Sequence, residues 1–236
     1  AKTYADSALF TADERITSEV ARLFSFLETA KIPVQSFNHL LVGQFNLTST
    51  LKKFILREID HAQKGLPAKI TLKLNSIQDP EMIKLLYKAS ESGVNIKLII
   101  RGICSLIPGQ KGYSTKIEAR SIVDRYLEHA RVYYFYNNGE EDLYLASADW
   151  MVRNLYYRIE TAFPIYSEKL KEEIIKMLEI QWKDNMKARI IDEDNTNQYV
   201  HDSSDLSYRS QMETYYFFKR KLERMKKAQE RSAMGS

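Results

Sequence analysis

Hydrophobic positions along this chain change period several times, and each change predicts a different element. Residues 11–28, "TADERITSEVARLFSFLE", place Ile16, Val20, Leu23, Phe24 and Leu27 at helical spacing, with Thr11 and Glu14 as a capping box. "KIPVQSFNHLLVG" then breaks the pattern and predicts a domain boundary near residues 31–38. A second helix follows, with Leu51, Phe54, Ile55, Ile59 and Ala62 on one face. Thr48 or Ser49 serves as its cap, and Gly65 and Pro67 stop it.

From residue 68 the pattern alternates between strand and helix. "AKITLKL" reads as a strand; Asp79 caps a helix with Pro80 at its first position and Ile83, Leu86 and Tyr87 facing inward; Gly93 ends it, and "VNIKLII" is the next strand. Such a unit is a right-handed crossover between parallel strands. "RVYYFY" and "DLYLAS", joined by "NNGEE", read as a hairpin, and "RIETAFPI" as a further strand. A helix over 167–182 buries Leu170, Ile174, Met177 and Leu178. The expected fold is α/β, a mixed sheet of five or more strands flanked by helices. The end differs in character: "NTNQYVHDSSD" is a polar linker, and 206–231 forms a basic helix with aromatics at its start.

Composition narrows the function only a little. The 35 Lys and Arg against 31 Asp and Glu leave a net charge of +4, too small to bind polyanions without local clustering. Cys104 is the only cysteine, so an intrachain disulfide is excluded; it fits a reducing cytoplasm and a buried structural thiol. No run approaches the ~20 apolar residues of a membrane span, and the first residues have no signal-peptide pattern, so a soluble cytoplasmic protein is expected.

In open α/β sheets ligands sit at the carboxyl ends of strands. There, Lys73 and Asn75 end one strand and share a face, and Arg101 ends the next, with Gly102 permitting close backbone approach. The loop "RGICSLIPGQKGYSTK" is basic and contains glycine but matches no dinucleotide or Walker pattern. His129 and Arg131 open the strand "RVYYF", while its hairpin partner ends at Ser147, followed by Asp149, Arg153 and Asn154. Antiparallel pairing puts His129 and Ser147 at one end of the sheet. Histidine carries a phosphoryl group or a proton near neutral pH and arginines neutralise phosphate oxygens, a set suited to phosphoryl transfer. The plainer alternative for Lys73, Asn75, Arg131, Ser147, Arg153 and Asn154 is hydrogen bonding that holds the sheet edge. Asp149 and Trp150 read as a capping acid and a core aromatic, and the basic terminal helix as a solvated or docking arm rather than a polyanion site.

The strings "ITLKLNSIQDPEMIKLLYKASESGVNIKLIIRGICSLIPG", "RSIVDRYLEHARVYYF" and "YLASADWMVRNLYYRIETAFPI" resemble the carboxyl-terminal region of bacterial polyphosphate kinases of the histidine-phosphorylating type, from about Tyr4 to Asp192. The resemblance implies phospholipase D-like domains, whose histidine-x-lysine motif appears here as His129-Ala130-Arg131, with arginine in place of lysine. It implies residues 1–37 as the end of a preceding domain, 38–194 as a complete second domain and 195–236 as linker and basic helix. It implies reversible transfer of the terminal phosphoryl of ATP to polyphosphate through a phosphohistidine, ADP being released, with Mg2+ present. Tyr4 then matches a nucleotide-contacting tyrosine, Arg101 a nucleotide-phosphate arginine and His129 the second active-site histidine. The phosphorylated histidine and the magnesium-holding arginines belong to an upstream domain in the family, and none of His39, His61 and His201 lies in a matching motif. The fragment is thus expected to be inactive alone, to need the missing N-terminal domains, and to leave a homo-oligomer open. A phospholipase D-like phosphodiesterase, which requires the motif in both halves, and a non-catalytic polyanion-binding module are the alternatives.

Overall fold

The computed structural model describes residues 7–201 and 206–234. The chain runs α1 (Glu14–Thr29), β1 (Leu41–Val42), α2 (Leu47–Gln63), β2 (Lys69–Leu74), α3 (Pro80–Glu91), β3 (Asn95–Ile100), β4 (Ile117–Ile122), β5 (Arg131–Phe135), β6 (Asp142–Ala146), β7 (Thr161–Pro164), α4 (Glu168–Trp182), β8 (Ala188–Ile191) and α5 (Ser210–Met234). Among the described residues the strands form one mixed sheet of eight in the order β1-β7-β6-β5-β2-β3-β4-β8. Strands β2, β3 and β4 are parallel neighbours, and every other pairing is antiparallel.

Strand parity divides the core. Ile70, Leu72, Ile96, Leu98, Tyr133 and Phe135 face α2 and α3, where Leu51, Ile55, Leu86 and Trp150 complete one buried cluster. Ile99, Val132, Tyr134 and Leu145 point to the other face, which Leu178 of α4 covers. Each such side chain contributes roughly 1.5–3 kcal/mol on burial, so a one-residue slip of register would be heavily penalised. Cys104 is half-buried, not fully buried as expected, and that burial pushes its thiol up.

Several local expectations need correction. Asp13, not Thr11, caps α1: its carboxylate accepts from the Arg15 amide at 3.0 Å, while Thr11 accepts from the Asp13 amide. Phe24 and Leu27 lie outside the core at 66% and 54% exposure, because α1 turns Ile16, Glu19 and Leu23 inward instead. The Glu19 carboxylate is buried since it accepts from the amides of Asn38, His39 and Leu40, fixing the chain's entry to β1. Helix α2 begins at Leu47, so Thr48 and Ser49 lie inside it; Thr48 donates to the Leu155 carbonyl instead of capping. Leu170 is exposed on α4. Strands β1, β4 and β8 join those expected: β1 is two residues long, and in β4 only Ile117 and Ala119 alternate as buried apolar residues with Glu118 and Arg120, too short a run to stand out.

Candidate functional site

Register brings the charged strand ends to one level. In the parallel pair, Lys73 lies opposite Ile99 and Leu74 opposite Ile100, so Asn75 and Arg101 leave their strands side by side. Strand β5 runs antiparallel to β2 with Val132 opposite Lys73, so the chain just before β5 arrives beside Asn75. The short distance is enforced at Gly102, whose amide donates to the Asn75 carbonyl at 2.7 Å. A Cβ at 102 would stand 3.0 Å from that oxygen.

Three side chains meet there. The Arg101 guanidinium donates to Asn75 Oδ1 through Nε at 2.8 Å and Nη2 at 2.6 Å. His129 Nδ1 stands 3.3 Å from the same oxygen and 3.4 Å from Arg101 Nη2. In one tautomer the imidazole donates to Asn75, in the other it accepts from Arg101. Asn75 Nδ2 is buried with no hydrogen-bond partner among the described residues.

Around this triangle the remaining ions are paired. Asp149 accepts from the amides of Asn75 and Ser76, and also from Arg131 Nε at 3.3 Å and Nη2 at 2.9 Å. Arg131 in turn donates to the His129 carbonyl at 3.0 Å. This ion pair is 10% exposed on each side, so both charges depend on each other for solvation. Lys73, 6% exposed, donates to Glu128 at 2.6 Å. Glu128 also accepts from Gln181 of α4 at 2.9 Å and from Gln211 of α5 at 3.2 Å. Gln211 further grips Tyr126, donating to its carbonyl at 2.8 Å and accepting from its amide at 3.0 Å. Nearby, Arg209 forks onto Asp124 and holds that carboxyl below its usual range. The segment before His129 is therefore fastened by side chains from two helices.

The expected site residues divide into two groups. Asn75, Arg101 and His129 converge, with Lys73 and Arg131 close by but engaged with carboxylates. Ser147 does lie at the same end of the sheet, since Arg131 pairs with Ala146. Its hydroxyl, however, donates to Glu160 Oε2 and accepts from the Thr161 amide, while Asn154 donates to Glu160 Oε1 at 2.6 Å. Arg153 is exposed at the start of a π-helical turn, Arg153–Tyr157. Tyr4 lies outside the described residues. Glu128, Glu160, Arg209 and Gln211 are additional polar anchors. Glu128 adjoins His129 in the chain, but nothing in the local pattern signals Gln211, which comes from more than eighty positions away. Beside Arg101 the hollow enclosed by Lys73, Ile99, Ile122, Glu128 and Gln181 measures 10 Å³, too little for a ligand, so access is from the open rim.

Residues 40–211 match the family described as polyphosphate kinase C-terminal domain 2. The chain is 47% identical over 219 residues to a polyphosphate kinase of Escherichia coli strain K12, covering 93% of this chain and 32% of that protein. It is 43% identical over 228 residues to one from Vibrio cholerae, covering 97% and 32% respectively. The crystal structure of polyphosphate kinase from Porphyromonas gingivalis superposes with a TM-score of 0.87 at 44% identity, over 90% of this chain and 33% of that one. The chain thus spans about a third of the length of the relatives it matches. No helix among the described residues is long and apolar enough to cross a membrane.

Proposed function

The chain belongs to the polyphosphate kinase family, and from that premise we propose that it forms one wall of a phosphotransferase site completed by other parts of a longer protein. The reaction is transfer of the terminal phosphoryl of ATP to a histidine outside this chain and then to the end of polyphosphate, with ADP released, and the reverse. Arg101 supplies charge to phosphate oxygens: two of its donor nitrogens hold Asn75, and Nη1 remains to reach outward. The unsatisfied Asn75 Nδ2 adds a neutral donor. His129 exchanges a proton with the transferring phosphoryl or its leaving oxygen, and its two neighbours fix the plane of its ring. Arg131 and Asp149 position His129 and Asn75 from behind.

Mg2+, which the family implies, does not fit this half of the site by itself. Among the described residues no three His, Cys, Asp or Glu side chains gather as ligands, and Glu128 and Asp149 are committed to Lys73 and Arg131.

The observation that carries this reading is the contact of Asn75, Arg101 and His129 within 3.4 Å at the mouth of the parallel strands. Titration with tripolyphosphate tests it: Arg101→Ala should weaken binding at this rim by about tenfold, the loss of one charge-assisted phosphate contact. Equal affinity in the variant would remove Arg101 from the site. A second test uses radiolabelled ATP with magnesium. The chain alone should acquire no alkali-stable, acid-labile label, and a labelled histidine on it would overturn the assignment of the nucleophile to another part of the protein.

A further inference from the structure

A larger cavity lies on the same face of the sheet but at the opposite end of the parallel strands. It measures 790 Å³ and opens between the starts of β2, β3 and β4 and helix α4. Four lysines line it: Lys69 and Lys97 from β2 and β3, Lys116 from the turn before β4, and Lys183 at the end of α4. All four are exposed, and none has a carboxylate within ion-pair distance among the described residues. Two acids also line the space. Glu179 is already paired with Lys176 at 2.9 Å, which leaves Glu118 as the single unspent negative charge against four positive ones.

The floor of this cavity is built rather than incidental. Trp182 forms part of it, with the Lys97 ammonium 4.8 Å and the Arg120 guanidinium 4.2 Å from its ring centroid, and Arg120 donating to the Trp182 carbonyl. Leu178, Ile175 and the buried Tyr134 close the wall behind it. A volume of this size lies within the usual range for small-molecule sites. Four ammoniums around one cavity, none of them ion-paired among the described residues, raise its positive potential, and a multiply charged anion is attracted to it. With a rise of about 3.3 Å per residue, the stretch of β2 from Asn75 back to Thr71 and Lys69, which line the cavity, puts it roughly 13 to 20 Å from the Arg101 rim, too far for one short phosphate chain to fill both.

We propose that this cavity is a second anion site, taking a short phosphate chain, either inorganic or the phosphates of a nucleotide. Lysine rather than arginine is the donor here, so recognition is of charge and not of a bidentate geometry. The site is independent of Arg101 and His129, and its existence does not rest on the phosphotransferase reading.

Trp182 offers a local reporter, because the only other tryptophan, Trp150, is fully buried on the opposite side of the sheet. A phosphate chain that draws Lys97 off the indole should change Trp182 emission at low salt. Tripolyphosphate and ATP are titrated separately: a response to tripolyphosphate alone assigns the site to inorganic chains, to ATP alone to nucleotides, and to both to the phosphate chain as such. Trp182→Phe should remove the signal. The pair Lys97→Ala/Lys183→Ala should weaken binding by about tenfold, two exposed charge contacts being lost. Lys97→Arg/Lys183→Arg should keep it, and Arg101→Ala should leave it unchanged. An emission that ignores both ligands at millimolar concentration, or a response lost in Arg101→Ala and kept in Lys97→Ala/Lys183→Ala, overturns the proposal.

Discussion

At the carboxyl end of β2 the cations are anchored, whereas at its amino end they are loose. Lys73 and Arg131 are 6% and 9% exposed, each bound to a carboxylate, and Arg101 is tied to Asn75. Lys69 and Lys97, about four residues earlier in their strands, are exposed and lean on the rings of Tyr136 and Trp182. One strand pair thus presents two kinds of positive surface. The first holds direction, because hydrogen bonds from buried neighbours fix each nitrogen; the second holds only charge. Chemistry on a phosphoryl group needs the former, since misplacing a donor by an ångström forfeits much of its effect. Retaining an anion needs only the latter.

The sharpest way to break this contrast is at Asp149. Removing its carboxylate strands the Arg131 charge and two backbone amides, so Asp149→Ala should cost about 3–5 kcal/mol in denaturant unfolding. By the same measurement Lys97→Ala/Lys183→Ala should shift stability by no more than about 0.5 kcal/mol. If the two variants unfold alike, the anchored end is no more integrated than the loose one.

A smaller effect is expected at Gln211. Its truncation removes contacts to Tyr126 and Glu128 and should cost about 1 kcal/mol, with faster amide exchange confined to residues 124–130. Unchanged exchange there would mean that α5 does not hold the His129 segment.

The smallest effect concerns pH. Asp124 is held below its ordinary value of 3.8 by the Arg209 guanidinium. A carboxyl depressed in the folded state contributes its stabilisation fully above the unfolded value and loses it as pH falls through the folded one. Exchange at residues 209–211 should therefore rise only below about pH 4, and Arg209→Ala should abolish that acid-induced step. Persistence of the step in the variant would assign it to another group.

Much of this arrangement was legible in the residues themselves. The β2–α3–β3 unit carries its own punctuation: Asp79 caps α3 through the Met82 amide, Pro80 follows, and Gly93 takes a positive φ at the helix end. From that unit the meeting of Asn75 and Arg101 follows by register alone, and the hairpin adds His129. What could not be read was the assignment of cations to anions. Lys73 and Arg131 looked equally free to meet phosphate, yet Glu128 and Asp149 engage them. Those pairings depend on how a buried charge is solvated in three dimensions and have no local pattern. Strand β4 is hard to read because its inward side chains are few and small: Ile117 and Ala119 alternate with Glu118 and Arg120, and Ser121 takes the next inward position. Ser147 stands at the end of the sheet that the hairpin predicts, but its bond to Glu160 is not readable from the pattern, because Glu160 lies beyond a turn whose course the pattern does not predict.

The grip of Arg209 and Gln211 on the segment before His129 bears on where this protein tolerates cutting. Helix α5 follows α4 closely as far as Lys221, which bonds to Glu173, and beyond it the side chains through Arg231 are exposed. A stop codon after Lys221 should spare the imidazole's surroundings, whereas one placed at residue 200 would unfasten them. Tags, fluorophores or surface attachments therefore belong on the outer turns of that helix, where they can pull without being felt at the rim.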